Sequence, residues 1–519
     1  MSKKLISIGV IYFVSVVLVF GQLKATNEAV VFNKYTYETL STYQKQLFED
    51  FLVNEIPTGK KVADVLTNRT SLRSKTRLAE ALLFRNFMGD KEKAAEILTW
   101  ILKNQYRDEN TKIYGIWKTS IEDDKFDQNW REFIGCDLII IRQKYRHLLP
   151  TEIQKEIEIG LVHAARGALK RNVAPDYTNI SIMSAFLMEY VGTEFKIDEL
   201  RTAGLQKARD IFKLYQTHKT FSEYNSPTYY GVTLIALAFW RELAFSPEIK
   251  QMGQTLEAEF WHEAATFYNP NLKNMPGPHF RGYGMDMRKY FSIMGIWIAI
   301  AVDDEKQAPM PPSTDGPKYG EMSNLAPIFN LGLAIPKADL AALKTFTSSR
   351  FISRTVPNNY TGDSLKQVTA MIHKDWMMGG VWGIRRVWGQ IKTGALHWKA
   401  DDGDIGWLLV PGDGKTNVQV SKTAMKVYSA GPQTTRLELY VYAPDATSDS
   451  FLEKSWKLSG MTLNVKTSLK IMSSEKIDTA LFQKEQAVAE TYAQIFKVVF
   501  EIPASWASAK PLIEIIPKK

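Results

Sequence analysis

Apolar and amphipathic helical segments alternate between about residues 37 and 302, and this alternation restricts the fold more than any other feature of the chain. The segments around 133–141, 180–190, 231–240 and 291–301 are apolar on nearly every side. Those at 152–170 and 196–215 are amphipathic, with charged outer faces. A helix that is apolar all round must be buried all round, whereas an amphipathic helix covers only one side. The first kind therefore predicts an inner ring and the second an outer ring, which together make an (α/α) toroid. A flat helical solenoid also stacks helix pairs, but no sequence repeat of fixed period favours it. Helix starts are well marked. Thr151 with Gln154 gives a capping-box pattern, and Ser246-Pro247 places an N-cap before a first-position proline. Asp127, Thr178 and Ser226 are read as further N-caps, with Pro227 opening the helix after Ser226.

The pattern changes near residue 305. "DDEKQAPMPPSTDGPKYG" is a loop rich in Pro, Gly and charge, and "KADLAALKTF" is a short helix after it. Beyond this the segments "RFISRTV", "QVTAMIH", "GIRRVWGQI", "IGWLLV", "VQVSKTAMKVYSA", "TRLELYVYA", "TLNVKTSLKIM" and "IFKVVFEI" read as strands bounded by turn residues. Many short strands in succession predict an antiparallel β-sandwich. A chain of 519 residues is too long for one core. The expected division is a toroid over 22–335 and a sandwich over 336–519.

Residues 1–21 are expected to be a signal peptide. A basic "MSKK" precedes the apolar run "LISIGVIYFVSVVLVFG", and no stop-transfer pattern follows. An uncleaved anchor is the alternative. The single cysteine, Cys136, rules out an internal disulfide. The expected location is secreted or periplasmic, as a monomer that does not enter a membrane once the signal is removed. Sequons at Asn68, Asn179 and Asn359 are of the number chance supplies. The net charge of +9 is diffuse, with no nucleic-acid module. No H-E-x-x-H and no cysteine cluster is present, so neither a metal nor another cofactor is expected.

In a toroid the inner helices run parallel, so their starts meet at one mouth. "DQNWRE" brings Asp127, Asn129, Trp130 and Glu132 there, and "PDYTNIS" brings Asp176, Tyr177 and Asn179. "SEYNSPTYYG" adds Glu223, Asn225, Tyr229 and Tyr230. "GPHFRGYGMDMRKY" adds His279, Arg281, Tyr283, Asp286, Arg288 and Tyr290. Each alone has an ordinary role as a cap, turn or core residue. Together they place amides, phenols, a histidine and arginines at helix N-termini, which favour anions. These types suit β-elimination on a uronic acid. A neutral amide or a cation stabilises charge developing on the carboxylate. A phenolate or imidazole takes the C5 proton, and a phenol or imidazole protonates the leaving oxygen at C4.

These segments resemble the toroid-plus-β-sandwich polysaccharide lyases, which include chondroitin, hyaluronan and alginate lyases and the heparinase II/III-like proteins. The resemblance covers most of the chain in layout and only short segments in motif. "YTNIS" resembles their amide segment, which implies that Asn179 neutralises the carboxylate. "SEYNSPTYYG" resembles their tyrosine segment, which implies an acid/base role for Tyr230 first and Tyr229 second. "FRGYGMDMR" resembles an arginine segment, implying that Arg281, with Arg288 as a second, binds substrate near the leaving oxygen. "GQIKTGALHWKADDGDIGWLLV" resembles a sandwich segment in which a histidine reaches the cleft, here His397. Several members carry a histidine shortly before the tyrosine. This chain has Glu223 and Asn225 there, so His279, His397 and the tyrosine itself all stand as the C5 base. Asn129, Trp130, Glu223, Asn225 and Tyr283 are expected to bind substrate, which the resemblance implies is an acidic polysaccharide.

A toroid glycoside hydrolase is the competing expectation. It needs two carboxyl groups, or one and a water, from among Asp127, Glu132, Asp176, Glu223 and Asp286. A uronate epimerase would share the first half of the elimination. A non-catalytic glycan-binding protein is a third class.

Overall fold

A computed structural model describes residues 29–122, 126–357, 365–431, 434–507 and 509–519. The expected signal segment and the sequon at Asn359 lie outside these. A strand β1 (Val30–Asn33) leads into helices α1 (Thr42–Glu55), α2 (Val62–Val65), α3 (Leu72–Arg85) and α4 (Asp90–Leu102). Then follow α5 (Trp130–Tyr145), α6 (Thr151–Arg171), α7 (Thr178–Glu194), α8 (Asp198–His218), α9 (Tyr229–Leu243), α10 (Pro247–Phe267) and α11 (Ile293–Val302). A 3₁₀ segment over Tyr319–Asn324, α12 (Leu325–Leu331), β2 (Leu333–Pro336) and α13 (Lys337–Lys344) complete the helical half.

These helices form an (α/α) toroid. α3 touches α5, α5 touches α7, α7 touches α9, and α9 touches α11 and α12; α12 returns to α3 and closes the inner ring. Outside it α4, α6, α8, α10 and α13 contact one another in turn. The apolar segments at 133–141, 180–190 and 231–240 lie in the inner helices α5, α7 and α9, and that at 291–301 lies in α11 and the two residues before it, as their all-round apolar faces require. All ten residues of α11 are buried. Each fully buried Ile or Val there contributes about 1.5–3 kcal/mol of transfer free energy. Met294 N donates to Pro227 O at 2.9 Å, which fixes the start of α11 beside the start of α9. β1 pairs antiparallel with β2, joining the beginning of the toroid to its end.

The second half is an antiparallel β-sandwich. Its strands are β3 (Arg350–Val356), β4 (Lys366–Ile372), β5 (Trp376–Trp382), β6 (Val387–Lys399), β7 (Ile405–Asp413), β8 (Thr416–Val420) and β9 (Met425–Ser429). β10 (Arg436–Tyr442), β11 (Ser455–Leu458), β12 (Met461–Lys466), β13 (Lys470–Lys476), α14 (Thr479–Gln486), β14 (Phe496–Glu501) and β15 (Ile513–Lys518) complete it. One sheet has the order β13-β14-β10-β7-β6-β5-β4-β3 and the other β11-β12-β15-β9-β8. Side chains alternate faces along a strand. In β6, Leu396 and Trp398 enter the core between the sheets, while Ala395 and His397 face the other way, toward Met285 and His279.

That second face grips the segment between α10 and α11. His279 and Lys392 exchange backbone hydrogen bonds, and Gly282 N donates to Gln390 O at 2.7 Å. The Glu490 carboxylate accepts from the backbone N–H groups of Met285 and Asp286. Arg288 and Lys289 both pair with Asp404. A Cβ on Gly379 of β5 would stand 1.7 Å from the Gly277 carbonyl, so only glycine lets the two chains approach this closely. The Gly277–Pro278 peptide bond is cis.

Local details depart from the expectations. Pro150, not Thr151, precedes α6, and Gln154 donates its side-chain amide to Leu149 O. Thr178 is the first residue of α7 rather than its cap. α9 begins at Tyr229, two residues later than Pro227 would start it, although Ser226 Oγ still accepts from Tyr229 N at 3.0 Å. "VQVSKTAMKVYSA" divides into β8 and β9 around Ser421–Ala424.

Candidate functional site

The starts of the inner helices enclose one cavity of about 200 Å³. Arg73 comes from α3, Asn129 and Phe133 from α5, Tyr177 and Asn179 from α7, and Tyr229 from α9. Arg281 and Tyr283 come from the segment that the sheet holds, and Lys318 and Glu321 from the 3₁₀ segment and the residue before it. Asp127 stands at the rim, where its Oδ1 accepts from Asn129 N at 2.9 Å.

Four of these groups are linked through a buried carboxylate. Asn179, in the first turn of α7, donates its Nδ2 to Glu223, and its Oδ1 meets no partner among the described residues. Glu223 stands behind the cavity and accepts from Arg281 on its other oxygen. Burial pushes the Glu223 carboxyl up, and Arg281 and Asn179 pull it back. Arg281 reaches on to donate to the Tyr229 hydroxyl, with its guanidinium carbon 3.7 Å from the Tyr229 ring centroid. The backbone of Arg281 has a φ of 63°, a left-handed conformation held by the contacts of the segment on either side. The Tyr229 and Tyr283 hydroxyls are 3.3 Å apart. Burial raises the Tyr229 phenol well above its ordinary value, and the Arg281 charge opposes the rise. The phenol is therefore neutral at neutral pH, and a cation stands ready to stabilise its anion.

Other expected site residues are turned elsewhere. Tyr230 points outward between α9 and α10, where its hydroxyl donates to Glu263 at 2.6 Å and its ring meets Phe260. Successive helical residues point about 100° apart, so only one of the two tyrosines can face the ring's axis. His279 is buried against the sheet and hydrogen-bonded to Asn225 O at 2.8 Å; burial lowers its ring to about 4. The His397 ring lies 6.5 Å from it, and burial, then the neighbouring His279, lower its ring to about 3. Neither histidine lines the cavity. Asn225, at φ 50°, spends its amide on Pro276 O and Pro278 O. Arg288 pairs with Asp286 and Asp404 at the sheet. Trp130 packs against the core outside the cavity. Asn129 lines the cavity, but its amide already bridges Tyr177 and Arg171.

Of the carboxyls open to a hydrolase, Asp127 reaches the cavity. Glu132 is buried behind it beside Arg131 and Arg171, with burial raising its carboxyl to about 7. Arg73, Lys318 and Glu321 were not anticipated. Arg73 follows the Ser71 N-cap of α3 in a basic, hydroxyl-rich run that reads as an ordinary helix start, and Lys318 lies in a loop.

A family model described as a domain of unknown function (DUF8769) matches residues 59–333, more than half of the 519 in the chain. The chain belongs to this family. The DUF8769 span contains every residue that lines the cavity and stops short of the sandwich. No curated protein matches. Among solved structures the chain is similar to one described as "Heparinase III-BT4657 gene product", at 11% identity and a TM-score of 0.39, over 94% of this chain and 87% of that one. The same product with methylated lysines matches at 10% identity and a TM-score of 0.32, over 94% and 86%. At this distance neither likeness bears on what the DUF8769 chain does.

Proposed function

We propose that this protein is a polysaccharide lyase that cleaves a uronic-acid-containing glycan by β-elimination. The observation that carries the reading is the linked set Asn179, Glu223, Arg281 and Tyr229 at the mouth of the inner ring. Asn179 would meet the substrate carboxylate with the second N–H of its Nδ2, stabilising the charge that develops when the C5 proton leaves. Tyr229 as phenolate, held by Arg281, takes the C5 proton. The C5–H pair forms the C4–C5 double bond, the C4–O4 bond breaks, and Tyr229 returns the proton to O4. Glu223 touches no substrate in this scheme; it is a positioning residue that orients Asn179 and Arg281. This assigns base and acid to the tyrosine and leaves His279 and His397 as structural groups. The basic start and apolar run within residues 1–21 support a secreted or periplasmic location.

The test is to incubate the purified protein with a panel of uronic-acid polysaccharides while following near-ultraviolet absorbance and product mass. An unsaturated product of unchanged total mass supports elimination. Fragments heavier by one water, without the absorbance, would show hydrolysis and overturn the proposal.

A further inference from the structure

A buried carboxylate of the sandwich is spent on the backbone beside the candidate site. After α14 the left-handed Ala487, at φ 48°, turns the chain back toward the toroid. Val488 and Tyr492 then join the apolar cluster that holds Met285, and Glu490 is buried between them in sequence, at a place suited to a third hydrophobe. Burying a carboxylate is costly unless it is paired or hydrogen-bonded. Glu490 favours the charge of the buried Lys392 ammonium, but no ion pair joins the two among the described residues. Its Oε1 accepts instead from Met285 N, from Asp286 N at 3.0 Å and from the Tyr492 hydroxyl at 2.8 Å. Burial pushes the carboxyl up, and these donors pull it back. One residue earlier, Ala489 N donates to Tyr283 O at 2.8 Å. Tyr283 is thus held at its own carbonyl and at the amides two and three residues on. The approach requires Gly284, where a Cβ would stand 2.5 Å from Glu490 Oε2. At the other end of Tyr283, its hydroxyl lies 3.3 Å from that of Tyr229.

We propose that Ala489 and Glu490 are a positioning element of the candidate site, holding Tyr283 so that its hydroxyl donates to Tyr229 beside the Arg281 guanidinium. The inference rests on the lyase reading and adds to it. The Tyr229 phenolate then accepts from two groups, Arg281 and Tyr283, and both must keep their distance while the C5 proton is taken. Glu490 touches neither phenol; it acts through the backbone of Tyr283–Asp286. Ala489 and Glu490 lie beyond the DUF8769 span, so the sandwich sets the placement of a side chain that lines a cavity formed within that span.

The experiment compares the full-length wild type with Glu490→Ala, Glu490→Asp and Glu490→Gln. The readouts are hydrogen exchange at the Met285 and Asp286 amides, and kcat and KM on the substrate found in the panel. Glu490→Ala should speed that exchange by roughly 10-fold or more, the worth of a hydrogen bond to a charged group. It should also lower kcat by roughly 10- to 100-fold and leave KM within about threefold, because Asn179 still meets the substrate carboxylate. Glu490→Asp keeps the charge one methylene short and should move exchange and kcat the same way by less; it replaces Glu490→Ala if thermal melts show that variant to be unfolded. Glu490→Gln keeps a carbonyl oxygen for both amides and should restore exchange and kcat to within about threefold of wild type. A folded Glu490→Ala or Glu490→Asp protein with wild-type exchange, or with faster exchange and wild-type kcat, overturns the proposal, as does a loss of kcat that Glu490→Gln fails to rescue. A wild type that eliminates no uronide refutes the lyase reading, and the exchange result then decides the hold on Tyr283 by itself.

Discussion

Adjacent tyrosines at the start of α9 allow a test in which one hydroxyl is removed from the cavity and its neighbour from the packing. Tyr229→Phe keeps the ring over Arg281 and deletes the oxygen that accepts from it. If that oxygen moves the proton, turnover falls by roughly 100- to 10,000-fold, or about 3–5 kcal/mol of barrier. The melting temperature should barely move, since Arg281 keeps Glu223. Tyr230→Phe deletes a buried hydroxyl bound to Glu263. Glu263 keeps Thr220 at 2.7 Å and Arg354 at 3.3 Å, so the loss is one hydrogen bond to a buried carboxyl and not an orphaned charge. That costs about 1.5–3 kcal/mol of stability, and each kcal/mol lowers the melting temperature of a domain this large by roughly 2–4 °C. Its turnover should stay within about threefold of wild type. The assay is initial rate by near-ultraviolet absorbance on the substrate found in the panel, beside thermal melts of both variants. A Tyr230→Phe protein that melts normally and does not turn over, beside an active Tyr229→Phe, would refute the assignment.

Other outcomes follow from the same geometry. Glu223→Gln leaves Arg281 without its counter-charge, so a melting shift worth about 3–5 kcal/mol should accompany lost turnover; an unshifted melt would show that Glu223 does not hold Arg281. Elimination should quicken by about tenfold per pH unit above neutrality, because the base is a phenol that burial holds protonated; a rate already flat at neutral pH would point to another base. The His279 ring is held neutral, its value lowered from 6.5 to about 4. Between those values the unfolded chain binds a proton that the folded chain refuses, so stability present above pH 6.5 should drain away down to about pH 4. Melts across that range, with His279→Asn flattening the slope, check it. Gly379→Ala should cost about 1–3 kcal/mol by overpacking and also slow turnover, because its Cβ would push on the Gly277 carbonyl and so on the chain leading to Arg281; unchanged melting and rate would show that the sheet yields there.

The ring was legible because hydrophobicity reports burial directly. Helices such as α7 and α11 have no polar face to offer water, and their place in the inner ring follows. That their starts share one cavity is a consequence of ring geometry, so Asn179, Tyr229, Arg281 and Tyr283 could be named in advance. Which of Tyr229 and Tyr230 faces inward depends on where α9 starts, and a boundary displaced by two residues is enough to exchange them. His279 carries no mark in the sequence to distinguish a catalytic imidazole from one that ties a loop to a sheet. β5, "WMMGGVW", escaped notice because paired glycines read as a break; here Gly379 is the point where the Gly277–Pro278 segment passes within reach of its Cα. Arg73 was invisible for a different reason. It follows the Ser71 cap in a basic, hydroxyl-rich run, where nothing in the sequence separates an arginine that lines the cavity from one on the outer surface.

The pairing of Val30 with Pro336 means that the first strand of the toroid has no strand partner until α12 and the residues after it have emerged from the ribosome. At about 5–20 residues per second that wait is on the order of tens of seconds. α3, whose ring partner α12 is made equally late, shares it. Through that interval the nascent chain carries helices whose every face is apolar and whose ring has an open side. Such a chain stays open during synthesis longer than a domain built from sequential neighbours, and it is correspondingly exposed to aggregation until the ring closes.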